Sequence, residues 1–149
     1  MSQKTRKMDY RMKILVVEDF ATMRQILCHS LREVGFTDVL EAEDGLSAWE
    51  IIRRQDLGLV VTDWHMPRMD GLELLQRIRA HPRTRSLPVL MITIDDLQDY
   101  VIAAAKAGVD SYLVKPFTPQ DLKEKIEQIF SQVRTDGKSR RVRTKKGPG

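Results

Sequence analysis

The chain has 149 residues, 42% of them hydrophobic and 31% charged, with a formal net charge of +4. This length and composition suit one globular domain with a core that needs neither disulfide nor structural metal, and no apolar run approaches the ~20 residues of a membrane helix. Cys28 is the only cysteine, which excludes an internal disulfide, and the basic first dozen residues lack the apolar stretch of a secretory signal, so a cytoplasmic protein is expected.

Residues 1–11 are basic and polar and read as a flexible N-terminus. Ile14–Val17 is apolar throughout and predicts a strand. Met23, Ile26, Leu27, Leu31 and Val34 then recur at helical spacing and stop at Gly35, a residue suited to a helix C-terminus. Cys28 falls in this helix and reads as a buried or half-buried residue rather than a reactive thiol. Asp38–Ala42 is a more polar strand that suits a sheet edge. Ala48, Ile51 and Ile52 mark a second helix, Leu59–Thr62 a third strand, and Leu72, Leu75 and Ile78 a third helix that ends before His81-Pro82. Val89–Ile92 is another apolar strand. Leu97, Val101, Ala104 and Ala105 form a fourth helical stripe leading to Gly108, and Ser111–Val114 is the last strand. Thr118 is placed to cap a fifth helix carrying Leu122, Ile126, Ile129 and Val133. Residues 134–149 carry seven Lys/Arg against one Asp with almost no apolar content, which predicts a basic disordered tail. Residues 1–13 carry five Lys/Arg against one Asp, so the body between the two ends, 14–133, is net acidic at −6.

Strands that are apolar on both faces, alternating with helices, predict an α/β fold: a doubly wound, five-stranded parallel sheet between two helical layers. In such sheets ligands bind beyond the carboxyl ends of the strands. The residues there are Glu18 and Asp19 after the first strand, Asp63 after the third, Thr93 after the fourth, and Lys115 and Pro116 after the fifth. Three carboxylates that converge repel one another unless a cation lies among them, and a few oxygen ligands with room for water suit Mg²⁺. Asp63 is central and is the expected nucleophile toward phosphorus, with Lys115 and the Thr93 hydroxyl to grip phosphoryl oxygens. A lone strand-end Asp is more often a cap and a lone Lys a solvated charge; joint occurrence at four strand ends favours chemistry. His29, His65 and His81 have no paired spacing, so no zinc site is read.

The acid pair Glu18-Asp19, Asp63 ahead of Met66-Pro67-Arg68-Met69-Asp70-Gly71, Thr93, and Lys115-Pro116-Phe117 resemble the pattern of response-regulator receiver domains, over about residues 12–133. Longer stretches, among them Glu41-Ala-Glu-Asp-Gly45 and Thr62-Asp-Trp-His-Met-Pro67, are similar to the chemotaxis branch of that family. The resemblance implies a flavodoxin-like sheet of order 2-1-3-4-5 and a phosphoacceptor Asp63 that takes its group from a histidine kinase. It also implies a metal held by Glu18, Asp19, Asp63 and the backbone carbonyl of His65, a cis peptide before Pro116, and a switch pair of Thr93 and Tyr112. The responding face would be the fourth helix, fifth strand and fifth helix, with Val101, Ala105, Tyr112 and Lys125. Such a protein assists its own phosphorylation and dephosphorylation without being an enzyme in the usual sense. Its partners would be a kinase, a flagellar motor switch protein and a phosphatase.

Three features depart from the pattern: Glu18 where Asp is commoner, Ile94 where a small residue usually follows Thr93, and His65 at the position that helps set the access of water. Competing readings are a phosphorelay intermediate and a phosphatase with an aspartate nucleophile; the latter expects an acid where His65 stands. A nucleic-acid binder acting through residues 134–149 ranks last, since no groove-reading helix is evident.

Overall fold

The computed structural model describes residues 4–5, 8–131 and 133–134. Parts of both ends expected to be flexible, residues 1–3, 6, 7 and 135–149, lie outside the described residues. Five parallel strands, β1 (Lys13–Val17), β2 (Asp38–Ala42), β3 (Leu59–Thr62), β4 (Val89–Thr93) and β5 (Ser111–Val114), alternate with α1 (Ala21–Val34), α2 (Gly45–Arg54), α3 (Gly71–Ala80), α4 (Gln98–Lys106) and α5 (Pro119–Ser131). The sheet order is β2-β1-β3-β4-β5, so polar Asp38–Ala42 does lie at an edge and strand order reverses at β1. The expected fold class is the one observed.

The alternation of side chains along each strand explains the three layers. Leu15, Val17, Val60, Val89 and Met91 face one way and pack with Trp49, Ile52, Leu74, Leu75, Ile78 and Ala104 of α2, α3 and α4. Ile14, Val16, Leu59, Val61, Leu90 and Ile92 face the other and pack with residues of α1 and α5, among them Leu27, Leu31, Ile126 and Phe130. Both faces of the central strands are covered, which is why their sequences are apolar without interruption.

Helix ends follow local chemistry. Asp44 accepts from the Ser47 amide at α2, Asp70 and Glu73 form a reciprocal capping box at α3, and Thr118 accepts from the Asp121 amide at α5 as expected. Gly35 closes α1 with φ +128°, a conformation that favours glycine.

Three stripe assignments need correction. Ile26 is 46% exposed, and Ser30 takes a buried place on α1 instead; Ser30 lies three residues from Leu27, on the covered side. Leu97 precedes α4 and is 63% exposed, because the helix begins only at Gln98. Val133 is not part of α5: the helix stops at Ser131, whose hydroxyl bonds back to the Gln128 carbonyl, and Val133–Arg134 instead pairs antiparallel with Lys4–Thr5.

Cys28 is buried as expected, and burial, with Glu41 second, pushes its thiol up to about 11. A raised thiol pKa means the folded state holds the proton, so this contribution to stability is complete below pH 9 and is lost as pH rises toward 11. Alkylation by iodoacetamide at pH 8 should therefore be at least ~100-fold slower in native than in denatured protein, as followed by mass; equal rates would contradict the burial.

Candidate functional site

Each strand delivers its side chain to the carboxyl edge by extending the ladder one step. Glu18 donates its amide to the Ala42 carbonyl at 3.0 Å, Asp63 to Val17 at 3.0 Å, and Lys115 to Thr93 at 2.9 Å. Residues 45, 52 and 97 positions apart in sequence are thereby set side by side. The carboxylates of Glu18, Asp19 and Asp63 each place an oxygen within 4.8 Å of the others. Lys115 Nζ lies 3.1 Å from Glu18 Oε1 and 3.4 Å from Asp63 Oδ2. The Trp64 amide donates to Asp63 Oδ1 at 2.7 Å, and the Phe20 amide to Glu18 Oε2 at 3.2 Å. Thr93 is fully buried, and the Lys115–Pro116 peptide is cis.

The electrostatics of the cluster match its geometry. Burial first, and the charge of Asp63 second, raise the Glu18 carboxyl above its usual range, while the Lys115 ammonium pulls it down. One ammonium set against three carboxylates leaves a negative excess at a partly buried rim with only Asp19 well exposed. An all-oxygen donor set of this kind, open on the side of Asp19, fits a hard divalent cation that keeps part of its water.

The family described as the response regulator receiver domain matches residues 14–127. The chain belongs to the receiver family. The chemotaxis protein CheY of Pseudomonas aeruginosa is 52% identical to this receiver over 122 residues, 82% of this chain and 98% of that one, and CheY-3 of Vibrio cholerae is 50% identical over 122 residues, 82% and 94%. Among solved structures, a putative response regulator from Chloroflexus aurantiacus superposes with a TM-score of 0.77 at 34% identity, covering 82% of this chain and 99% of that one. The receiver domain of a Pseudomonas aeruginosa sensor histidine kinase, described with a magnesium ion coordinated in its active site cleft, superposes with 0.75 at 28% identity, covering 82% and 99%. The protein is thus a CheY-like receiver of two-component signalling, and its acidic pocket is compatible with Mg²⁺. No helix among the described residues is long and apolar enough to cross a membrane.

The receiver's other expected residues are placed as follows. Tyr112 is half-buried on β5, and its hydroxyl donates to the Asp95 backbone carbonyl at 2.8 Å. Burial and the nearby Asp95 charge push its phenol up to about 12, so it remains a donor at any neutral pH. Val101, Ala105 and Lys125 are half-buried on α4 and α5. Ile94 is 68% exposed beside buried Thr93. The His65 side chain turns to Asp95 rather than to the three carboxylates.

Some residues that shape the site escaped the sequence reading. Arg24 donates to the Glu18 carbonyl at 2.7 Å and to Glu41 at 3.0 Å, holding the acid pair from α1. Arg68, with φ +68°, pairs with buried Asp44 and ties the loop after β3 to the start of α2. Asp95 was missed although it stands two residues beyond Thr93, as His65 stands two beyond Asp63; that matched spacing was the available signal.

Proposed function

We propose that Asp63 accepts a phosphoryl group from a phosphohistidine of a sensor kinase and that the face formed by α4, β5 and α5 passes the state on, in a chemotaxis pathway, to a flagellar motor switch protein. Mg²⁺ would be held by Glu18, Asp19, Asp63 and the backbone carbonyl of His65. Bound there, the ion neutralises carboxylates and phosphoryl oxygens that would otherwise repel. The observation that carries this reading is the setting of Asp63: one oxygen on the Trp64 amide, the other near Lys115, with two further carboxylates inside 4.8 Å.

In the transfer, an Asp63 oxygen forms the new bond to phosphorus as the phosphorus–nitrogen bond of the donor breaks, its electron pair leaving with the imidazole. Lys115 supplies positive charge to the phosphoryl oxygens as a point charge, and Thr93 a hydroxyl donor once it swings from its present partner. Moving that hydroxyl is the local event by which a new charge biases a two-state element reaching Tyr112. The chemotaxis assignment rests on the relatives of about 50% identity, which carry that name.

The test is incubation with phosphoramidate and Mg²⁺ followed by intact mass. Wild type should gain one phosphoryl group and Asp63→Asn none; equal gain by both would move the site elsewhere. Phosphorylated protein should then bind a motor-switch peptide at least ~10-fold more tightly than unphosphorylated protein. Equal binding would remove the motor role and leave the phosphoacceptor role standing.

A further inference from the structure

Residues 50–58 and 76–88 end α2 and α3 and lead into β3 and β4, at the opposite end of the sheet from Asp63. They hold six arginines against two acids, Glu50 and Asp56, although the body of the chain is net acidic. Arg53, Arg54, Arg77, Arg83 and Arg85 are exposed. Basic residues in the last turn of a helix complement its dipole, which accounts for Arg53, Arg54 and Arg77. Arg83 and Arg85 lie beyond the helix, on a loop held from beneath. The Thr84 hydroxyl donates to the Ile78 carbonyl at 2.8 Å, the Leu87 amide donates to the Thr84 carbonyl at 2.9 Å, and Arg79 donates to the Arg85 and Leu87 carbonyls at 3.1 and 2.6 Å. Arg83 in turn donates to the Arg53 carbonyl and joins the two stretches. Arg53 and Arg54 share Glu50, and Asp56 stands 3.9 Å from Arg83; among the described residues Arg77 and Arg85 have no ion-pair partner.

A cavity of about 250 Å³ opens between the two stretches. Ile52, Leu57, Leu87 and Pro88 give it an apolar wall, and exposed Arg83 and Asp56 also line it. Its volume is below the ~300–1,000 Å³ of small-molecule sites and suits one aliphatic side chain. We propose that this face docks a partner protein through a short acidic segment, whose one aliphatic residue enters the cavity while its carboxylates meet Arg53, Arg83 and Arg85. The excess of arginine sets the sign of the partner's charge. The cavity sets its class: a nucleic acid gains from exposed aromatic rings on which bases stack, whereas Trp49 here is only 8% exposed, covered by Arg77 and edge-on to His81. Arginines on a preformed loop lose little freedom on binding and so hold a partner better than mobile surface charges do. The face includes no residue of α4, β5 or α5 and none of the acidic pocket, so a partner held there stays bound whether or not Asp63 carries phosphate. The inference is therefore independent of the phosphoacceptor reading.

The test measures binding of the full chain to a fluorescent peptide of glutamates around a single leucine, at ~0.15 M salt, where charges more than ~8 Å apart are largely screened. The double variant Arg53→Gln, Arg83→Gln should bind it about fivefold more weakly than wild type. The double variant Arg11→Gln, Arg32→Gln removes the same charge from exposed positions elsewhere and should bind as wild type does. Replacing the peptide's leucine by serine should weaken its binding to wild type about tenfold. Asp63→Asn should bind the peptide as wild type does. Should loss of the Arg83 contact with the Arg53 carbonyl lower the unfolding temperature, Arg85→Gln repeats the comparison with an expected loss of about twofold. Equal losses in the two double variants, a leucine-free peptide bound as tightly, or no binding by wild type overturns the proposal. An oligothymidylate of equal charge that binds more tightly than the peptide, and is weakened by Arg53→Gln, Arg83→Gln, overturns it in favour of a nucleic-acid surface.

Discussion

Replacing Lys115 by Met and Asp63 by Asn should shift the stability of the metal-free protein in opposite directions at pH 7. Among the described residues Lys115 is the one cation contacting both Glu18 and Asp63, and the three side chains are 12%, 2% and 11% exposed. Removing it leaves two carboxylates buried together without compensation, a class of change that costs about 3 kcal/mol. Asp63→Asn removes one of the repelling charges, and an amide can still accept from the Trp64 amide; it is expected to stabilise by about 1 kcal/mol.

The sign of the pH dependence follows from Glu18. Its carboxyl is raised above the ordinary value of 4.5, so its contribution to stability is complete below that value and is lost as pH rises through the folded-state pKa. The deficit of Lys115→Met should accordingly shrink as pH falls toward 4.5. Added Mg²⁺ should raise the urea midpoint of wild type more than that of Asp63→Asn. Urea titrations at pH 7 and pH 4.5, with and without Mg²⁺, measure all of this; a Lys115→Met variant as stable as wild type at pH 7 would refute the account of the cluster.

The second large effect is expected at Gly71. A Cβ built there would lie 2.2 Å from the Asp63 carbonyl oxygen and 3.0 Å from the Trp64 Cα, both backbone atoms, while the Gly71 amide donates to the Trp64 carbonyl at 2.7 Å. Neither obstacle can swing aside, so Gly71→Ala must displace the end of β3 or the start of α3, and with it Asp63. A loss of about 3 kcal/mol, or roughly 10 °C in unfolding temperature, is expected, together with slower phosphorylation. Gly58→Ala supplies the control. Its Cβ would lie 2.7 Å from Met12 Sδ, which a flexible thioether can move away, and 2.8 Å from the Met12 Cβ, which the backbone holds, so a smaller cost of about 1–2 kcal/mol is expected, below that at Gly71. Similar losses at the two positions would show that backbone crowding at Gly71 is not the cause.

Much of this protein was determined by local sequence. Runs such as Ile14–Val17 and Val89–Ile92 can be buried on both faces only inside a covered sheet, and Thr118 caps a helix through its immediate neighbours. The acid pair, Asp63, Thr93 and Lys115 were legible because a parallel sheet collects strand-end residues on one edge, whatever their separation along the chain. Other features depended on distance and direction in space, which no local pattern encodes. Ile26 and Leu97 have apolar spacing yet stand exposed, since which side of a helix is covered depends on where its neighbours pack. Arg79 donates to the Gly108 carbonyl at 2.9 Å and to buried Asp110 at 2.7 Å, and Asp110 in turn accepts from the Val89 amide at 2.8 Å; this knot at the start of β4 joins residues with no shared motif. The contact between His65 and Asp95 is of the same kind: the sequence holds both residues, and only the side-by-side placement of β3 and β4 makes them partners.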